Sequence, residues 1–156
     1  MPQDPLIFTA RWPVRTYEVD RQGHVNNAVY LNYAEELSAQ HSEHLGYGEA
    51  WATAQGGAWV IRRNEVTYFS PARFGDMLEL TVRVELVKGA RGQRRTTIKV
   101  LPEGRLVAEI FTEWVWVRGS DGRPSPVPQQ LVDLASVATT ATLRRRQAER
   151  RTGPEK

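Results

Sequence analysis

From Met77 to Val87 the chain alternates with period two: Leu78, Leu80, Val82, Val84 and Leu86 share one parity, and Glu79, Thr81, Arg83 and Glu85 share the other. Successive side chains of a strand point to opposite faces, so this stretch is a strand with one buried and one wet face. Apolar-rich runs predict further strands over 58–69, 94–101 and 105–118, separated by the turns Lys88-Gly89-Ala90-Arg91-Gly92 and Pro102-Glu103-Gly104. Upstream the period changes. Tyr30, Tyr33, Ala34, Leu37, His41 and Leu45 recur at three- and four-residue steps, which predicts a helix from about Asn27 to His44 closed by Gly46. Glu49 to Ala54 reads as a second, short helix halted by Gly56-Gly57. Ile7 to Val19 reads as a first strand whose Pro13 demands an edge or a bulge. A short closing helix is expected over 129–138. One long helix followed by an antiparallel meander makes an α+β domain in which the sheet buries the helix.

A length of 156 residues suits one domain with a real core and is too short for two. The expected division is a domain over 1–138 followed by a basic, flexible tail over 139–156. The chain has no cysteine, which excludes disulfides and thiolate metal sites. His24, His41 and His44 form no ligand pattern with carboxylates, so neither a metal nor another cofactor is expected. No signal-peptide pattern or long apolar run is present, and a cytoplasmic protein without membrane contact is the expectation. The pI of about 9.5 raises the question of nucleic acid. However, Arg144, Arg145, Arg146, Arg150, Arg151 and Lys156 against Glu149 and Glu155 leave +4 in the last stretch, while the whole chain carries +3. Residues 1 to 143 therefore sum to −1, and the basic character belongs to the tail. Nucleic acid is not an expected partner.

Chemistry concentrates between Asp20 and Tyr33. A carboxylate, Asp20, stands just past an apolar segment; a turn containing Gly23 and His24 follows, and Asn26-Asn27 stand where the long helix can begin. Asn is a favoured N-cap, and with Asn26 in that place the N–H groups of Asn27 and Ala28 face outward at the positive helix end. Such an end can hold an oxyanion while a nearby carboxylate acts as nucleophile or base. Taken alone, such residues are more often those of an ordinary polar turn with a cap, since short motifs match by chance.

The run Asp20 with Gly23-His24-Val25-Asn26-Asn27, Tyr30, Tyr33 and Glu35 resembles the active-site loop of the hotdog-fold thioesterases, in particular the 4-hydroxybenzoyl-CoA thioesterase-like and acyl-ACP thioesterase-like groups. Val66 to Asp76 is similar to that family's turn between second and third strands, and Asp121 to Pro128 to its exit after the last strand. The resemblance spans roughly residues 8 to 134 and implies a long central helix wrapped by a five-stranded antiparallel sheet. It further implies an acyl-CoA thioesterase working as a homodimer or homotetramer, with the site at the subunit interface. Asp20 would be nucleophile or general base, the Asn27 N–H would polarise the carbonyl, and His24 and Asn26 would orient water or carboxylate. Tyr30, Tyr33, Glu35, Trp59 and Tyr68, together with Leu37, are candidates to line the acyl site. Lys88, Arg91, Arg94 and Arg95 surround a glycine-containing turn and are candidates to bind the CoA phosphates. Asn27 stands where one bacterial branch carries His, which draws the likeness toward the fatty-acyl-CoA and acyl carrier protein branches. A hydratase or dehydratase of the same fold and a non-catalytic acyl-CoA-binding protein are the alternatives. The Asp-x-Asn-Pro-x-His pattern of such hydratases is not matched by Asp20-Arg21-Gln22-Gly23-His24.

Overall fold

A computed structural model describes residues 3–151, the side chains of 138–143 and 151 excepted. Strand β1 (Ile7–Pro13) leads through a single 3-10 turn (Thr16–Glu18) to helices α1 (Val29–His44) and α2 (Glu49–Ala54). Strands β2 (Gly57–Tyr68), β3 (Met77–Lys88), β4 (Arg91–Leu101) and β5 (Arg105–Arg118) follow, and α3 (Gln129–Arg151) ends the described chain. The five strands lie in the order β1-β3-β4-β5-β2, and every neighbouring pair is antiparallel. The α+β architecture with one long helix on a five-stranded sheet is the one expected from the periodicities.

One face of the sheet is the core. Leu78, Leu80 and Val82 of β3, Ile98 of β4 and Ile110 of β5 are fully buried against Leu37 of α1. Register pairing explains why: Ile98 stands opposite Leu80 and Ala108, and Thr96 opposite Val82 and Ile110, so each row presents its apolar groups to the same side. The opposite face is laced with charge, as in Arg95 with Glu85 and Glu109. The expected helical stripe of Tyr30, Tyr33, Ala34, Leu37 and His41 is buried, whereas Leu45 is only half-buried.

The boundaries differ from expectation in four places. Strand β1 stops at Pro13 and not Val19: the Val14 N–H still meets the Asp76 carbonyl in register (2.9 Å), but the Glu18 carboxylate then takes the Arg15 N–H (2.8 Å) and draws the chain into the 3-10 turn. Helix α1 begins at Val29, two residues late, for a reason that lies in the Asn26 side chain described below. Strand β4 begins at Arg91, paired with Lys88, which leaves Gly89-Ala90 as a two-residue hairpin; Gly89 at φ +62° supplies the left-handed backbone such a turn needs. Finally, α3 continues to Arg151 instead of ending near 138, so Arg144, Arg145, Arg146 and Arg150 are carried as exposed helical residues. Arg151 has its backbone in this helix, and Glu155 and Lys156 lie outside the described residues.

The sheet has two edges, β1 and β2. The second is twelve residues long, paired among the described residues with no strand but β5, and carries the exposed Val60 and Tyr68; Phe69 and Phe74 just beyond it are also exposed. Among the described residues no helix is long and apolar enough to cross a membrane.

Candidate active site

The loop between Val19 and Val25 is pinched at its base by a bridge between those two residues. The Asp20 N–H donates to the His24 carbonyl (2.7 Å) and the Gly23 N–H to the Asp20 carbonyl (3.0 Å), a turn that requires Gly23 at φ +78°. The Asp20 carboxylate is oriented by its own loop: Oδ1 accepts the N–H of Gln22 (2.8 Å) and of His24 (3.2 Å). The other oxygen, Oδ2, has no partner among the described residues, and the side chain is exposed. The loop is fastened to the sheet end by the Val25 N–H on the Ala72 carbonyl (2.8 Å), a bridge of His24 to Arg73, and the Asn26 N–H on the Glu18 carbonyl (2.9 Å). Beyond the backbone bond the His24 imidazole makes no hydrogen bond to the described residues.

Asn26 caps from one residue further away than expected. Its Oδ1 accepts the Ala28 N–H at 3.0 Å and its carbonyl accepts the Val29 N–H at 2.9 Å, a local turn that delays the first helical residue to Val29. The Ala28 N–H is therefore occupied, and it is the Asn27 N–H that is left without an acceptor among the described residues at the positive end of α1. The Asn27 carbonyl is in turn held by the Tyr68 hydroxyl, which donates to it at 3.0 Å from the end of β2. Tyr68 thus fixes the peptide ahead of α1 rather than lining a closed pocket.

The aromatic candidates separate. Tyr30 and Tyr33 are buried in the core, edge-on to each other at 6.1 Å, with Tyr68 at 5.7 Å from Tyr30 and Trp12 at 5.9 Å from Tyr33. Burial, and after it the Glu18 carboxylate, raises the Tyr33 pKa, although its hydroxyl has no hydrogen-bond partner of ordinary geometry. Glu35 and Trp59 line a different feature, a cavity of about 510 Å³ enclosed by the C-terminal half of α1, by α2, by the sheet and by the start of α3.

The four cations proposed for CoA do not form one cluster. Lys88 and Arg91 lie together at the β3–β4 hairpin, lining a second, shallower hollow of about 540 Å³ with Arg62 and Pro124. Arg95 is on the outer face, bonded to Glu85 (2.6 Å) and Glu109 (2.7 Å), and the Glu85 bond is the main cause that raises its pKa. Arg94 points the opposite way, into the 510 Å³ cavity. Adjacent strand residues face opposite sides of a sheet, so this separation was readable in advance. The same parity argument divides Arg62 from Arg63: Arg62 joins the hairpin hollow, whereas Arg63 pairs with Glu65 at 2.7 Å. Among the described residues no group of three His, Asp or Glu side chains is placed to hold a metal ion.

Known proteins resemble this chain over most of its length. The sequence profile of the thioesterase-like superfamily matches residues 14–134. The long-chain acyl-CoA thioesterase FadM of Escherichia coli K12 is 33% identical over 104 residues, covering 67% of this chain and 78% of that protein. The acyl-CoA thioester hydrolase YbgC of Escherichia coli O6:H1 is 33% identical over 124 residues, covering 78% and 92%. Among solved structures, the hypothetical protein TT1821 from Thermus thermophilus superimposes with a TM-score of 0.75 at 28% identity, covering 83% of this chain and 98% of that one.

Proposed function

The chain belongs to the thioesterase-like superfamily and has the hotdog fold, and from that premise we propose that it hydrolyses acyl-CoA, with Asp20 and the Asn27 N–H as the reacting centre. The single observation that carries the assignment is the loop geometry. One Asp20 oxygen is fixed by two backbone N–H groups and the other is spare, on a loop that runs directly into an unoccupied N–H at a helix start.

The substrate carbonyl oxygen accepts the Asn27 N–H. On one route Asp20 Oδ2 attacks the carbonyl carbon; the C–S bond breaks, CoA leaves as thiolate, and water then hydrolyses the mixed anhydride. On the other, Asp20 takes a proton from water as the water attacks, and passes it to the departing thiolate. Both routes put negative charge on the same oxygen, where an oriented donor contributes several kcal/mol of barrier reduction once the bound substrate has displaced water. His24 and Asn26 orient the water or the carboxylate. Lys88, Arg91 and Arg62 offer charge-assisted bonds to the phosphates of the CoA nucleotide, or to the phosphate of a carrier protein's prosthetic arm.

A second copy of the chain completes the site. The long β2 edge is an unpaired ladder with apolar groups beside it, and such an edge pairs with another strand unless blunted. A Val60→Lys variant should sediment as a smaller species than the wild type; equal sedimentation refutes this role for β2.

The deciding experiment is free-thiol release from a panel of acyl-CoAs, with wild type and Asp20→Asn side by side. Turnover lost in the variant while acyl-CoA still binds supports the reading. Tight binding without turnover by either protein would make this a binding protein. Hydration of an enoyl-CoA would make it a hydratase.

A further inference from the structure

The cavity under the C-terminal half of α1 contains a cation without a counter-charge. Arg94 enters it from β4; its guanidinium donates to the Ser38 carbonyl (2.9 Å) and to the Ser42 hydroxyl (3.0 Å), both on α1. No carboxylate among the described residues pairs with it. Glu43, on the cavity wall, is engaged with the Glu49 N–H (3.2 Å), and Glu35 is exposed at the rim. Burial lowers the Arg94 pKa to about 10. A guanidinium has five N–H donors, and two acceptors leave the fork unsatisfied.

An aromatic wall lies one row away. Trp114 lines the same cavity with its ring, while its indole N–H is turned away from accessible space and has no partner among the described residues. The register places Trp114 opposite Gly92, two residues from Arg94 on the same face of the sheet. A donor group short of acceptors is costly, and the open fork of Arg94 describes a seat for an oxygen anion. Helix geometry links this seat to the reacting end. Glu35, Ser38, Ala39 and Ser42 line the cavity from one face of α1, and stepping back by three or four residues along that face reaches Leu31 and Ala28. At about 1.5 Å per residue, Ser38 lies roughly 16 Å beyond Asn27, within reach of an acyl chain of medium length meeting an arginine.

We propose that this cavity seats the far end of the acyl group, and that Arg94 selects acyl groups ending in a carboxylate. The inference rests on the thioesterase reading, and its test separates the two. Calorimetry with methyl decanoate and monomethyl decanedioate, which lack the CoA thioester, reads the seat without turnover. Wild type should bind the second at least about tenfold more tightly, the value of a charge-assisted hydrogen bond. Arg94→Met should collapse that ratio. Arg94→Lys, which keeps the charge but not the fork, should fall between wild type and Met, and carries the test should the Met variant fail to fold. Thiol release from decanedioyl-CoA against decanoyl-CoA should follow the same order in all three proteins. A ratio near one in wild type, or one unchanged by these variants, overturns the seat even if plain acyl-CoA is hydrolysed. A preserved binding preference with no hydrolysis of any acyl-CoA overturns the thioesterase reading and leaves the seat standing.

Discussion

At the start of α1 the polar groups stand in solvent and are tied to their own loop: Asp20 is exposed, and among the described residues its carboxylate bonds only to Gln22 and His24. Near the end of the same helix they are enclosed. His41 is 1% exposed, stacks on Phe8 at 5.5 Å, and bonds the Pro5 carbonyl through Nε2 at 2.8 Å, while Arg94 threads beneath the next turn. Burial, and after it the Arg94 charge, lowers the His41 pKa to about 4. On the proposed function the contrast follows from what each end would do. A carboxylate that reacts must admit a substrate and water, which suits one positioned by short backbone bonds that survive exposure. A group that reads shape or charge works best where water is excluded, and it is positioned by packing.

The comparison breaks most visibly at Asp20. Asp20→Asn keeps an oxygen for the two loop N–H groups but removes the base, and thiol release should fall by about 10³-fold with acyl-CoA binding retained. If the fall is less than about tenfold, the exposed end is not the reacting end.

At the enclosed end the expected effect is on stability. The folded His41 pKa lies below the ordinary value of 6.5, so the unfolded chain takes up the proton first on acidification. Its contribution is complete above about pH 6.5 and is lost as pH falls toward 4, by on the order of 3 kcal/mol. The groups around it are Arg94 and His44, which oppose protonation, and the Pro5 carbonyl and Asp4, which favour it. Urea midpoints measured across that window should drop for wild type and flatten for His41→Phe. Parallel curves would place the acid sensitivity elsewhere.

Smaller changes sharpen the picture. Lys88→Ala with Arg91→Ala should raise KM for acyl-CoA about tenfold with kcat nearly unchanged, and the loss should shrink at high salt as phosphate contacts are screened. An equal KM at low salt would remove the hairpin hollow from the CoA site. Tyr68→Phe deletes the bond to the Asn27 carbonyl, and with one exposed neutral hydrogen bond lost, kcat should fall only about threefold. An unchanged kcat would show that the α1 entry is held well enough by Asn26 alone.

Much of this was legible in residue order. The period of two from Leu78 to Leu86 and the helical stripe from Tyr30 to His41 each specify an element and its buried face, because side-chain direction repeats with the backbone. The short sequence span from Asp20 to Asn27 also showed where polar chemistry concentrates, since its bonds are nearly all local. What misled was the range of single elements. β1 ends at Pro13 because the Glu18 carboxylate holds the Arg15 N–H and draws the chain into a 3-10 turn, and α3 runs past 138 although the sequence stripe there is weak.

The sequence by itself therefore determined the elements, their apolar faces and the Asp20 loop, since each depends on neighbours within a few residues. Tertiary structure alone decided which cations lie together. Strand parity sends Arg94 inward and Arg95 outward, but only the packing of α1, α2 and α3 against the sheet closes a cavity around Arg94, and only cross-strand register brings Trp114 beside it. Burial is a property of the assembled layers. A cation acquires an uncompensated charge only when those layers exclude water from it.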